Sequence, residues 1–164
     1  MKHPSILLLA LLVFLGCAAP RTTGGGSSAR EEGAGQAKDK RAQVMQLYVD
    51  ATAAKLQGNP VKAMELYQTV LKLDPDNAAA MFELSKLYHQ SQQGDEALAM
   101  AKKAVATDKN NIWYRFLLAD LSGQLGDLAG ATKAYQGILD QWPDRYEVRF
   151  SLAELLAMQG KVAD

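Results

Sequence analysis

The feature that most constrains this chain is a period of 34 residues. Leu73-Asp74-Pro75-Asp76-Asn77 aligns with Thr107-Asp108-Lys109-Asn110-Asn111, and again with Gln141-Trp142-Pro143-Asp144-Arg145, each block one period after the last. The same step carries Ala51 to Ser85, Ala119 and Ala153, and Ala63 to Ala97 and Ala131. It also carries Gly58 to Gly126 and Gly160, and Tyr67 to Tyr135, with no insertion or deletion. A unit of this length cannot bury its apolar face alone, so neighbouring units must stack into a continuous core. Inside the units Leu84-Leu87-Tyr88, Leu118-Leu121 and Leu152-Leu155-Leu156 follow helical spacing. Asn59-Pro60 pairs an N-cap residue with proline at the first helical position, and Asp127 is placed to cap in the same way. Pro75 and Pro143 stop the helices before them, because proline cannot continue the hydrogen-bond ladder.

These recurrences resemble the tetratricopeptide repeat family, whose unit is two antiparallel helices, A and B. The units are 44–77, 78–111, 112–145 and a partial fourth over 146–164. The resemblance implies an all-α solenoid of about 3.5 repeats over residues 40–164. Small residues at 51, 85, 119 and 153, and at 63, 97 and 131, let helices A and B approach closely; larger side chains there would overpack the contact. Some places depart from the family pattern. Leu47, Met81, Arg115 and Arg149 stand where tryptophan is common, Asp50 replaces a recurrent leucine, and Gly94 falls two places late. Long stems that carry charge to water account for the two arginines at this level.

Composition excludes several classes of function. Lys plus Arg number 18 and Asp plus Glu number 18, so the formal charge is zero. A phosphate-tracking nucleic-acid binder needs a basic surface, so nucleic acid is not an expected partner. One cysteine forms no intrachain disulfide and no Cys-rich metal site. Of two histidines, His3 lies at the extreme N-terminus, leaving His89 alone in the body of the chain. Nucleophile–base dyads and zinc sites need more than that, so no catalytic residue, metal or cofactor is expected and the chain reads as a non-enzyme. Ser85 and Ser122 read as packing serines rather than nucleophiles.

The N-terminus carries an export pattern. Lys2 precedes an apolar run from Ile6 to Leu15 that ends at Gly16-Cys17. The run is too short for a membrane span, which takes roughly 20 residues. Phe14-Leu15-Gly16-Cys17 resembles the bacterial lipobox, with Phe14 where leucine is commonest. The resemblance implies removal of residues 1–16 and lipidation of Cys17; the rival is ordinary cleavage after Ala19, which would set Pro20 beside the cut bond. Ala18 rather than aspartate after the cysteine implies an outer-membrane address facing the periplasm, in bacteria that follow the enteric rule. Residues 17–39 contain Gly24-Gly25-Gly26, Ser27-Ser28, Gly33 and Gly35, and no aromatic, Leu, Ile or Val. Such a stretch is expected to be a flexible tether, because it has too little apolar surface to offset its ordering entropy. The triple glycine is not a phosphate loop, since no Lys-Ser/Thr follows it.

In the family the A helices line a concave groove, with the second, fifth, ninth and twelfth places of each unit facing in. The fifth place reads Tyr48, Phe82, Phe116 and Phe150, and the second adds Met45 and Trp113. An apolar groove on a solenoid marks a site for a peptide or helix of a partner protein. The competing reading is that these rings pack against the next repeat. The central pair, Phe82 and Phe116, is expected to matter most for binding. Some family members clamp a C-terminal carboxylate with basic and amide side chains; the corresponding places here hold Tyr48, Thr52, Glu83, Trp113 and Leu117, and only Lys86 fits. Charge divides along the groove, with Lys55, Lys86 and His89 in the first two repeats and Asp120, Glu147 and Glu154 in the last two. That division could orient a polar partner.

Three functions fit this pattern: a lipid-anchored scaffold that holds partner proteins at the cell envelope, the docking part of a larger envelope enzyme or sensor, or a self-assembling lipoprotein. Gly160-Lys161-Val162-Ala163-Asp164 matches the turn and first steps of a further B helix, so the gene product is expected to continue past residue 164. Oligomeric state is not legible in the sequence.

Overall fold

The structure, a computed structural model, describes residues 25–160. The signal segment, Cys17 and residues 161–164 lie outside the described residues. Two compact units are distinguished, residues 1–35 and 36–164. Of the first only the start of one helix is described; the repeats all lie in the second.

Seven α-helices make up the described chain: α1 (Gly25–Leu56), α2 (Pro60–Leu73), α3 (Ala78–Gln90), α4 (Gly94–Thr107), α5 (Ile112–Gln124), α6 (Leu128–Gln141) and α7 (Tyr146–Met158). Helices α3, α5 and α7 begin one period apart, and so do α2, α4 and α6. The all-α stack of helix pairs read from the repeat is therefore the observed fold. Helices α1, α3, α5 and α7 are the A helices; α2, α4 and α6 are the B helices.

Caps explain where the helices start. The Asn59, Asn77, Asn111 and Asp127 side chains accept the backbone N–H of Lys62, Ala80, Trp113 and Gly130 at 2.8–3.1 Å. Each satisfies a donor that the first turn leaves free. The A-to-B turn reverses at a left-handed residue, which is Gly58 (φ 74°), Gly126 (φ 86°) and Gly160 (φ 68°) in three repeats. In the second repeat the same place is Gln92 (φ 61°). The displaced Gly94 is thus not the turn residue. It opens α4, where an added Cβ would meet the Leu125 side chain at 2.6 Å.

The core is one set of places used repeatedly. Ala51, Ser85 and Ala119 are sealed against Ala63, Ala97 and Ala131; all six have zero exposure. Val70, Ala104 and Ile138 lie about two turns further along the B helices, and Leu87, Leu121 and Leu155 close the A-helix side. Burying each of these leucines contributes roughly 1.5–3 kcal/mol. Ser85 Oγ donates to the Ala97 carbonyl at 2.7 Å, so the one hydroxyl among these small residues is also satisfied. Ala153, the corresponding place in α7, is exposed, since no described helix comes after α7 to cover it.

Two expectations change. The flexible tether expected over residues 17–39 contains helix from Gly25 onward, continuous with the first A helix. The reason is in its composition: Ala29-Arg30-Glu31-Glu32 and Gln36-Ala37-Lys38 are strong helix formers. Lack of apolar surface argues against a packed core, not against an exposed helix. The arginines also do more than reach water. Arg115 Nε donates to the Lys109 carbonyl at 2.8 Å, and Arg149 Nη2 to the Pro143 carbonyl at 2.6 Å. Donors and acceptors are each one period apart, so the two arginines tie the B-to-A turn in the same way in successive repeats.

Candidate functional site

The four rings of the fifth place lie on successive A helices, but in different states. Tyr48 is half-buried, edge-on to Tyr67 with centroids 5.3 Å apart. Phe82 is half-buried against Tyr114 at 5.2 Å, with the Lys86 ammonium 5.1 Å above its ring. Phe116 packs on the core formed by α5, α6 and α7, and lies 6.1 Å from Trp113. Phe150 is 73% exposed and Trp113 is 66% exposed. The ladder is therefore partly structural. Its first three rungs support the repeats, and the available apolar surface is Met45 at one end and Trp113 with Phe150 at the other. Phe82 and Phe116, the pair expected to matter most for binding, are half-buried and so have less ring surface left for a partner than Phe150 has.

The charges also rearrange. Glu83, whose side chain is 13% exposed, accepts from Lys55 at 2.6 Å and lies 3.6 Å from Lys86. This three-residue cluster ties α1 to α3 and cancels part of the positive charge expected there. Glu147 is paired with Arg145 at 3.3 Å. The two-ended charge pattern is thus weaker than the separate residues implied. His89 is half-buried in the last turn of α3. Glu83 is not legible in the sequence as a partner of Lys55, because the two lie almost a whole repeat apart and no local spacing links them.

Buried tyrosines join the groove to the B helices. Thr52 Oγ1 and Tyr67 Oη are 2.9 Å apart, and two repeats later Tyr135 Oη donates to the Asp120 carboxylate. Burial pushes the Tyr48 hydroxyl up to about 12, helped by Tyr67, Glu83 and Tyr114. Burial likewise raises Tyr67, and it raises Tyr135 with the Asp120 hydrogen bond and charge adding to the effect. These hydroxyls stay protonated near neutral pH, and that of Tyr135 donates to Asp120. No cluster of three or more His, Cys, Asp or Glu side chains suited to a metal is found among the described residues.

Two cavities open along this face. One, of about 410 Å³, lies between α5 and α7 and is lined by Asp120, Gln124, Ser151, Glu154 and Met158. The other, of about 720 Å³, is bounded by α1 and the α2–α3 turn. Its lining includes Val44, Met45, Tyr48, Leu73 and Ala79, together with Lys40 and Arg41 from the helix that extends upstream of the first repeat. Sequence reasoning misses those two cations, because the repeat is counted from 44 and residues 40 and 41 hold no place in a unit. A signal is present nonetheless: Ala37, Arg41, Val44 and Tyr48 form a stripe at helical spacing.

A stack of antiparallel helix pairs with an open A-helix face defines the class of α-solenoid binding proteins. Tetratricopeptide repeat models match residues 54–121 and 116–164, together more than half of the chain, which therefore belongs to the tetratricopeptide repeat family. The chain is 32% identical over 104 residues to cellulose synthase operon protein C of Pseudomonas fluorescens, covering 58% of this chain and 8% of that protein. It is 30% identical over 84 residues to cell division cycle protein 27 homolog A of Arabidopsis thaliana, covering 51% of this chain and 12% of that one. The chain thus spans about a tenth of the length of the curated relatives it matches. Among solved structures, the first tetratricopeptide domain of Spaghetti (RPAP3) bound to the HSP90 peptide SRMEEVD superposes with a TM-score of 0.66 at 18% identity, covering 73% of this chain and 94% of that one.

Proposed function

We propose that this protein is a membrane-anchored adaptor of the bacterial cell envelope that holds a segment of a partner protein along its A-helix face. The observation that carries the binding role is the exposure of Trp113 and Phe150 on the neighbouring A helices α5 and α7, which also wall the Asp120–Ser151–Glu154 cavity. Large rings left uncovered on a rigid scaffold are the residue types that dominate interface energetics. A solved relative of the same fold holds a short peptide, which supports a peptide-binding role here. The anchor rests on the apolar run ending in Gly16-Cys17, and the outer-membrane address on Ala18.

Binding is tested by capture from an envelope extract on the full chain and on a Trp113→Ala/Phe150→Ala variant. Loss of the same bands from the variant, with its melting temperature nearly unchanged, supports the face. Equal capture by both overturns it. The anchor is tested separately with Cys17→Ser, which should abolish labelling by a fatty-acid probe and release the protein from membranes. Persistent labelling and sedimentation would overturn the anchor and leave the binding face standing.

A further inference from the structure

We infer that the 720 Å³ cleft between the upstream part of α1 and the α2–α3 turn is a second docking site, and that its occupant is a partner segment carrying an acidic residue beside an apolar anchor. The inference rests on reading the chain as a protein-binding scaffold and adds a site at the upstream end of the A-helix face, where Met45 and Tyr48 of the groove meet the helix that precedes the first repeat. The cleft lies against residues 37–41, upstream of the first repeat unit.

Its chemistry is two-sided. The floor is apolar, made by Val44, Met45, Leu73 and Ala79 with the ring of Tyr48, and Met45 is 66% exposed. The cleft is within the size range of sites that enclose small ligands or a few side chains, roughly 300–1,000 Å³. Lys40 and Arg41 stand together on the α1 wall, both exposed, and neither is paired with a carboxylate among the described residues. The single carboxylate of the lining, Asp74, accepts from Asn77 Nδ2 at 2.9 Å, and Asn77 in turn caps α3. Asp74 keeps its negative charge while tied to the turn, so the lining carries two cations against one carboxylate and is net positive.

Charge complementarity then chooses the occupant. A basic segment would be repelled by the net positive charge, and a purely apolar one would leave that charge uncompensated. An Asp or Glu one turn from a Leu, Met or Phe satisfies both parts, and the Arg41 guanidinium can grip a carboxylate with two parallel hydrogen bonds. An anionic membrane offers the same two chemistries, but a bilayer surface cannot enter a concavity walled by two helices. The observations therefore favour a peptide.

The test is selection of a displayed random peptide library on the full chain, on a Lys40→Glu/Arg41→Glu variant and on the Trp113→Ala/Phe150→Ala variant, with a thermal melt of each. Both charge reversals fall on exposed positions, so the variant should fold as the parent does. The expected result is a parent-selected family of acidic–apolar sequences whose synthetic members bind the charge-reversed variant at least tenfold more weakly, while Trp113→Ala/Phe150→Ala retains them. Enriched peptides that depend on Trp113 and Phe150 but not on Lys40 and Arg41 would overturn the cleft and leave the groove standing. A basic consensus would overturn the cleft, and absence of any enriched peptide would overturn both sites. Co-sedimentation with phosphatidylglycerol vesicles is the remaining arm: vesicle binding that needs Lys40 and Arg41, with no peptide that does, would replace the peptide by a lipid surface and overturn the proposal.

Discussion

Replacing Gln92 by glycine should stabilise the protein, by an amount that can be worked from the backbone. Gln92 sits at φ 61°, where the equivalent turns hold Gly58, Gly126 and Gly160 at φ 68–86°. A residue with a Cβ pays about 1–2 kcal/mol to occupy the left-handed region, because the Cβ crowds the following carbonyl. Glycine returns about 0.5–1 kcal/mol of that through the greater freedom of its unfolded chain. The net gain for Gln92→Gly is therefore about 0.5–1 kcal/mol, or about 2–4 °C in melting temperature for a domain of this size. The side chain is exposed, and the backbone bond from Gln92 N–H to the His89 carbonyl at 3.0 Å survives the change. The reciprocal variant, Gly126→Gln, should lose a similar amount. An added Cβ at Gly126 meets nothing within 4 Å, so conformation rather than collision sets that cost. Urea denaturation followed by circular dichroism gives the midpoints. A Gln92→Gly midpoint equal to or below the parent's would refute the assignment of strain to this turn, as would an unchanged midpoint for Gly126→Gln.

Three further outcomes are expected. Phe116→Ala should lower stability by about 3 kcal/mol or somewhat less, since a fully buried ring costs roughly 3–5, whereas Phe150→Ala should cost under about 1 kcal/mol because most of its ring is already in water; equal melts for the two would contradict the packing described. Arg115→Met keeps most of the stem but removes the bond to the Lys109 carbonyl, so it should destabilise by about 1 kcal/mol in urea titration; an unchanged midpoint would show that the tie contributes nothing. Stability should fall as pH rises from about 10 towards about 12. The Tyr48 and Tyr67 hydroxyls have higher pKa values folded than unfolded, so the folded state keeps protons that the unfolded state has released; a melting temperature independent of pH over that range would refute this.

The sequence by itself determined the architecture, because stacking helix pairs repeat the same contacts. Ala51, Ser85 and Ala119, or Val70, Ala104 and Ile138, occupy equivalent environments, so a local pattern read at one period specifies the whole core. The caps at Asn59 and Asp127 were legible for a similar reason, since they act within one turn of the chain. Tertiary structure alone decided how each ring of the fifth place is used. Tyr48, Phe82, Phe116 and Phe150 share a place in the repeat but meet different neighbours, Tyr67, Tyr114, Trp113 and open solvent. It also decided the charge of the face, through the Lys55–Glu83 pair that joins two successive A helices. The cleft beneath Lys40 and Arg41 exists only because α1 continues upstream of the first repeat, where the Ala37–Arg41–Val44–Tyr48 stripe signals a helix but not what lies beside it. Binding surface is what packing leaves uncovered, and a periodic sequence specifies what is covered far better than what remains.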